Sequence, residues 1–227
     1  MQVTRVQGVE GAATASGPTV VIDVFRAFSA AAYAIAAGAK EIVLTSEVAE
    51  ALEIAATVPG AVLMGEVSGV RPDAFDLGNS PGEIVAKPGA VQGRTIVHRS
   101  SAGTRCARAA LSAGASPLYV ASLVVASATA DALSGSSSVT IVASGESGVT
   151  AAAEDEIAAE LIEALLRDDR SLLAHSGRQV AATPRARVLN ESSFAHRDDV
   201  ALCSQVDRFS FAMRVASTAG LVRVRAV

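Results

Sequence analysis

The 227-residue chain predicts an α/β domain, a three-layer α/β/α sandwich around a mostly parallel sheet. Short Val- and Ile-rich runs alternate with Ala-rich segments of helical period, and the connections between them are short. Half of the residues are apolar but only 4% are aromatic, a composition suited to close packing of Ala and Val. Parallel strands need crossover helices, and helices on both faces let each strand read as an unbroken apolar run. No repeat, linker or low-complexity segment divides the chain, so residues 1–227 read as one domain.

The first apolar run is Thr19-Val20-Val21-Ile22, followed by a helical segment over residues 26–37 that Gly38 stops. Residues 41–44 form the next strand, with Ser46 as N-cap and Glu47 and Glu50 in the first turn of the following helix. Residues 61–64 enter a long polar loop that closes at Pro81. Residues 94–97, 118–120 and 139–142 continue the strands, separated by helices over 104–112 and 124–133. The last clear helix carries Ile157, Leu161, Ile162, Leu165 and Leu166 on one face and Glu156, Glu160, Glu163 and Arg167 on the other. Beyond Ser171 the pattern is less regular, with turns at Gly177 and Pro184 and a short apolar close over 209–215.

Several function classes drop out on composition. A net charge of −4 without a Lys/Arg cluster argues against a nucleic-acid surface. Residues 27–39 are too short and Ala-rich to span a bilayer, and residues 1–17 lack the apolar core of a secretion signal, so a cytoplasmic protein without membrane contact is expected. Cys106 and Cys203 have neither disulfide nor zinc spacing. A homo-oligomer is left open.

In a parallel sheet, ligands sit beyond the carboxyl ends of the strands. Four polar loops follow strand candidates, so the strand ends near Asp23, Met64, Val97 and Ala143 are expected on one side of a single sheet, with their loops sharing a pocket. Asp23 ends a buried strand just before a helix, which suits a metal ligand, a general base or a helix cap. Arg26 is placed to clamp an oxyanion or to balance Asp23. Glu66 follows Gly65 at a strand end, where a solvated loop acid is equally ordinary. The turn Ala74-Phe75-Asp76-Leu77-Gly78-Asn79-Ser80-Pro81 presents a carboxylate, a carboxamide and a hydroxyl towards a ligand. Ser100, Ser101, Gly103, Thr104 and Arg105 precede or open a helix; they suit either a phosphate cradle or simple capping. Neither a Walker A loop nor a GxGxxG follows a strand. Glu154 and Asp155 open the last helix, where acids also complement the helix dipole. Glu146, His175 and His196 carry no persuasive role.

Taken together, the run Val20-Val21-Ile22-Asp23-Val24-Phe25-Arg26-Ala27, the pair Gly65-Glu66, the segment Phe75 to Pro81, the loop Gly103-Thr104-Arg105 and the helix start Glu154-Asp155 resemble the 2-phosphosulfolactate phosphatases over roughly residues 18–168, and the closing segment Asp199-Val200 to Phe211 resembles them too. The resemblance implies a Mg²⁺-dependent phosphatase, or a Mn²⁺-dependent one, acting on a small anionic phosphate ester. Ser101-Ala102-Gly103-Thr104 replaces a Thr-Asn-Gly-Thr common in that family, and Val124 or Val125 stands where asparagine is common, so two carboxamides of the recognition surface are absent.

The mechanism expected is metal-assisted hydrolysis. A hard cation draws oxygen ligands from Asp23, Glu66, Asp76 and Asp155, while Arg26 and the 100–104 loop offset phosphoryl charge. Asn79, Ser80 and Arg105 complete the substrate surface. Attack by water and attack by Asp23 both remain open, and no DxDx[TV] nucleophile motif is present. Two other classes compete: a small-anion-binding protein without turnover, and a Rossmann-like nucleotide-binding enzyme.

Overall fold

In the computed structural model, which describes residues 1–227, nine strands form one mixed sheet. They are β1 (Gln2–Gln7), β2 (Gly17–Ile22), β3 (Glu41–Thr45), β4 (Val62–Gly65), β5 (Thr95–Arg99), β6 (Ala115–Ala121), β7 (Ser138–Ala143), β8 (Met213–Thr218) and β9 (Leu221–Ala226). The helices are α1 (Gly8–Ala12), α2 (Ala27–Ala36), α3 (Val48–Thr57), α4 (Pro81–Ala86), α5 (Gly103–Ser112), α6 (Ala126–Leu133), α7 (Ala153–Leu166), α8 (Leu173–Ala181), α9 (Pro184–Glu191) and α10 (Asp199–Cys203). None is long and apolar enough to cross a membrane.

The strand order is β1-β7-β2-β6-β8-β9-β3-β5-β4. Two parallel blocks, β1-β7-β2-β6 and β3-β5-β4, are joined by the antiparallel β8–β9 hairpin. One row of paired residues crosses the whole sheet: Thr4, Thr140, Thr19, Leu118, Val215, Val224, Ile42, Ile96 and Val62. Because β6–β8, β8–β9 and β9–β3 are each antiparallel, the two blocks run in opposite senses along the ladder. This corrects the expectation that the four strand ends share one edge. The loops after β2, β4, β5 and β7 nevertheless line one cavity, so the expected shared pocket is present.

Burial explains why the local patterns were readable. Val20, Val21 and Ile22 are fully buried, as a strand flanked on both sides must be. All of residues 27–34 of α2 are buried; most have small side chains that let the helix seat closely, with Phe28 and Tyr33 as its large ones. Gly38, at φ +90°, ends the helix in a conformation that side chains resist. On α7, Leu161, Ile162, Leu165 and Leu166 face the core, while Arg5 of β1 lies over Glu156, Glu160 and Glu163 at 4.0, 3.8 and 3.4 Å.

Other expectations need correction. Glu47, not Ser46, is the N-cap residue of α3, and the Glu50 carboxylate accepts from the Ser46 N–H at 3.1 Å. Three helices follow α7, and β1, β8 and β9 are strands that local patterning did not show. Cys106 and Cys203 are free and buried, and burial pushes both thiols well up.

Candidate active site

The site starts where β2 gives way to α2. Asp23 is buried there, its Oδ1 accepting from the Ala27 N–H at 3.0 Å and its Oδ2 from the Gly103 N–H at 2.9 Å. One carboxylate therefore caps α2 and also meets the start of α5, tying the two blocks of the sheet together. Gly103 permits this approach, because a Cβ there would lie 2.6 Å from Asp23 Oδ2. Burial raises the Asp23 carboxyl to about 6; the Ala27 and Gly103 N–H groups oppose that rise and the charges of Glu66 and Glu154 add to it.

Asp155, in the first turn of α7, makes a matching clasp. Its Oδ1 accepts from the Val24 N–H and its Oδ2 from the Gly145 N–H, each at 2.8 Å. The chain thus bonds the residue after Asp23 to the loop after β7. Burial raises Asp155 well above the usual carboxylate range, and the neighbouring Asp23 charge raises it further. Glu154 beside it is also buried and raised, chiefly by desolvation, with Arg185 pulling it back.

Glu66 joins the loops after β4 and β5. Oε1 accepts from the Ser101 N–H at 2.5 Å, and Oε2 accepts from the Gly69 N–H at 2.6 Å and from the Ser101 hydroxyl at 3.1 Å. Gly65 is required for this junction, since at φ +146° a Cβ would fall 2.0 Å from the Arg99 carbonyl oxygen. Ser100 and Thr104 cap each other: the Ser100 N–H donates to Thr104 Oγ1 and the Thr104 N–H to Ser100 Oγ, both at 3.0 Å. Their hydroxyls are buried and satisfied, so the expected phosphate cradle is a cap at these two positions.

Arg26 does not pair with Asp23. Its Nη1 donates to Asp199 Oδ2 at 2.8 Å and its Nη2 to the Gly69 carbonyl at 2.9 Å, under the Phe194 ring. Fully buried Asp199 also accepts from the Ser80 hydroxyl at 2.7 Å and the N–H groups of Gly82 and His196. Ser80 therefore holds Asp199 and, accepting from the Glu83 N–H, starts α4. Asn79 Oδ1 lies 2.6 Å from His98 Nε2, and burial lowers the His98 pKa to about 3, which keeps the ring neutral.

These groups surround a cavity of about 630 Å³. Of the residues expected from sequence, Asp23, Arg26, Glu66, Asn79, Ser101 and Asp155 line it. Ser80, Ser100, Gly103 and Thr104 stand behind the wall, and exposed Arg105 spans the Ser101 and Ser147 carbonyls at 3.4 and 3.3 Å. Asp76 lies elsewhere: its Oδ2 accepts from the Leu63 N–H at 2.8 Å and it borders a separate cavity of about 390 Å³. Sequence reasoning missed Asp199 as the partner of Arg26 and Arg185 as a wall residue. The Thr183-Pro184 pair, a cap followed by proline at the first helical position, is a readable sign of α9, which stands where a turn at Pro184 is expected from sequence.

Charge defines what this cavity can hold. Five acids, Asp23, Glu66, Glu146, Glu154 and Asp155, and two arginines, Arg26 and Arg185, line it, with Arg99 behind the wall 4.0 Å from Glu66. No three His, Cys, Asp or Glu side chains form a ready-made metal cage. A magnesium ion needs less, because it keeps several waters and takes one or two carboxylates together with phosphate oxygens. The all-oxygen acids Asp23, Glu66, Glu154 and Asp155 fit that requirement, and burial raises Asp23, Glu154 and Asp155, with repulsion from neighbouring carboxylates adding to the rise.

The family model described as 2-phosphosulpholactate phosphatase matches residues 4–218. A protein of Pseudothermotoga lettingae named "Probable 2-phosphosulfolactate phosphatase" is 32% identical over 202 residues, covering 84% of this chain and 86% of that protein. One of the same name from Deinococcus radiodurans is 37% identical over 168 residues, 73% of this chain and 68% of that protein. Another, from Carboxydothermus hydrogenoformans, is 41% identical over 114 residues, and the match spans 45% of its length.

Proposed function

This chain belongs to the 2-phosphosulfolactate phosphatase family, and from that membership we propose a Mg²⁺-dependent phosphatase of a small phosphorylated hydroxy acid, releasing the hydroxy acid and inorganic phosphate. The carrying observation is the acid-rich cavity, where five carboxylates face two arginines. A phosphate ester would be repelled by such walls unless a cation entered with it. The same reading takes the helices as flanking the sheet in three layers and the protein as cytoplasmic.

Asp23, Glu66, Glu154 and Asp155 are the side chains that would hold the metal, Mg²⁺ or Mn²⁺. When bound, the ion supplies positive charge at the phosphoryl oxygens and lowers the pKa of a bound water. Asp23 and Asp155 are held by four backbone N–H groups, so these acids keep their positions without substrate. Without metal the Asp23 carboxyl is raised to about 6 by burial, and a bound cation would draw it back down and keep it ionised as a ligand. Arg26 is fixed by Asp199 and Gly69 and offers charge to an oxyanion without rearrangement. Asn79 and Ser101 add neutral polar groups to the wall.

A phosphate-release assay over small phosphorylated hydroxy acids, with and without Mg²⁺, tests the proposal. Turnover that disappears on exhaustive chelation and returns with Mg²⁺ or Mn²⁺ is expected. Undiminished turnover after chelation would remove the metal. Ester binding without turnover would instead make this an anion-binding protein, and stabilisation by nucleotides alone would favour a nucleotide-binding enzyme.

A further inference from the structure

The two arginines of the cavity differ in how they are held. Arg26 is 5% exposed, and its guanidinium is engaged by Asp199 and the Gly69 carbonyl. Arg185 has one close carboxylate, Glu146 at 3.6 Å, and the Glu146 side chain is 64% exposed. An ion pair of this length and exposure contributes little and exchanges readily for another anion.

The backbone below Arg185 is nevertheless fixed. Thr183 caps α9 by accepting from the Ala186 N–H at 3.3 Å, and Pro184 sets the first helical position. Ala186 and Leu189 pack with Val200 beneath the helix. Arg185 thus projects from a rigid helix start into the cavity wall with its fork uncommitted, and its charge reaches Glu154. A cavity of about 630 Å³ has room for more than a phosphate group.

We propose that Arg185 binds the oxyanion carried by the alkyl part of the substrate, a carboxylate or a sulfonate, and so makes the cavity prefer acidic phosphate esters to neutral ones. The inference rests on the phosphatase reading above. The acids, with their cation, take the phosphoryl end. Arg185 takes the other, where its planar fork matches two oxygens of either acid group.

Three esters separate the possibilities: 2-phosphosulfolactate, 2-phospholactate, which lacks the sulfonate, and isopropyl phosphate, which lacks both acid groups. With Mg²⁺ present, Arg185→Ala should lower kcat/KM for 2-phosphosulfolactate about 10- to 100-fold, mainly through KM, the range expected for a lost charged hydrogen bond. Isopropyl phosphate should change less than about threefold, and Arg185→Lys should restore part of the loss. An equal loss on 2-phospholactate assigns Arg185 to the carboxylate, whereas a loss confined to 2-phosphosulfolactate assigns it to the sulfonate. Equal losses on all three esters, or none, would overturn the proposal.

Calorimetric binding of the same esters separates this inference from the phosphatase reading. Should the wild type hydrolyse none of them, tighter binding of the acidic esters that Arg185→Ala abolishes would still support the role of Arg185. Absence of any such preference in the wild type would refute it. A circular-dichroism melt confirms that each variant is folded.

Discussion

Asp23→Asn, studied without metal, isolates the cost of burying a charge at the centre of the site. The folded-state carboxyl titrates at about 6 against an ordinary 3.8, so between those values the folded chain binds more protons than the unfolded one. Stability from this group is therefore fully present below 3.8 and is lost as the pH rises through 6. The whole shift corresponds to about 3 kcal/mol, of which roughly four-fifths falls between pH 4 and pH 7. Asparagine does not titrate, and its amide loses one of the two acceptors used by Ala27 and Gly103, a deficit that does not vary with pH. Urea unfolding of both proteins in EDTA should show the wild type losing about 2 kcal/mol relative to the variant between pH 4 and 7. A difference that stays flat, or that moves in favour of the wild type with rising pH, would refute the assignment of a buried, charge-crowded carboxyl at Asp23.

Gly103→Ala places a Cβ 2.6 Å from Asp23 Oδ2 and should cost about 1–3 kcal/mol in urea unfolding, with turnover falling as Asp23 is displaced. Unchanged stability and turnover would mean that the two loops are not in contact. Asp199→Asn leaves buried Arg26 without its counter-charge and should destabilise by about 3–5 kcal/mol in the same measurement; a loss under about 1 kcal/mol would show that Arg26 is otherwise neutralised. Asp76→Asn should keep phosphatase activity within about twofold, because a carboxamide oxygen can still accept from Leu63 N–H and the side chain lies outside the main cavity. Collapse of activity in a folded Asp76→Asn protein would return Asp76 to the metal site.

Much of the first block and of β3 to β5 was legible because its signals were local: apolar runs such as Val20 to Ile22 and stops such as Gly38. Strand β1 escaped because Gln2, Thr4, Arg5 and Gln7 break any apolar run. The β8–β9 hairpin was hidden for a related reason, with Arg214, Arg223 and Arg225 among its residues and a turn at Ala219-Gly220 that lacks the usual Asn or Asp. Asp23, Glu66 and Asp155 were readable as acids at strand ends or helix starts. Which polar groups would face inward was not readable. Asp76 turns back to Leu63 of β4, and Ser100 and Thr104 satisfy each other. The Arg26–Asp199 pair spans 173 residues, a separation over which one sequence carries no distance information.

The central hairpin also constrains how the protein can be made. As the chain leaves the ribosome, β1, β2, β6 and β7 and, separately, β3, β4 and β5 can pair within their own blocks. The seam between those blocks is β8 and β9, which come later in the chain than every strand they join. Nascent chains ending before Met213 would carry β6 and β3 as open edges, and an open edge is a template for pairing with a neighbour. Glu41, whose carboxylate binds Arg223 and Arg225, is half of a lock on β3 that closes only when β9 emerges. Synthesis therefore passes through a stage in which most of the cavity residues exist but the frame holding the two blocks in register does not, and that interval is when the chain is most exposed to misassembly.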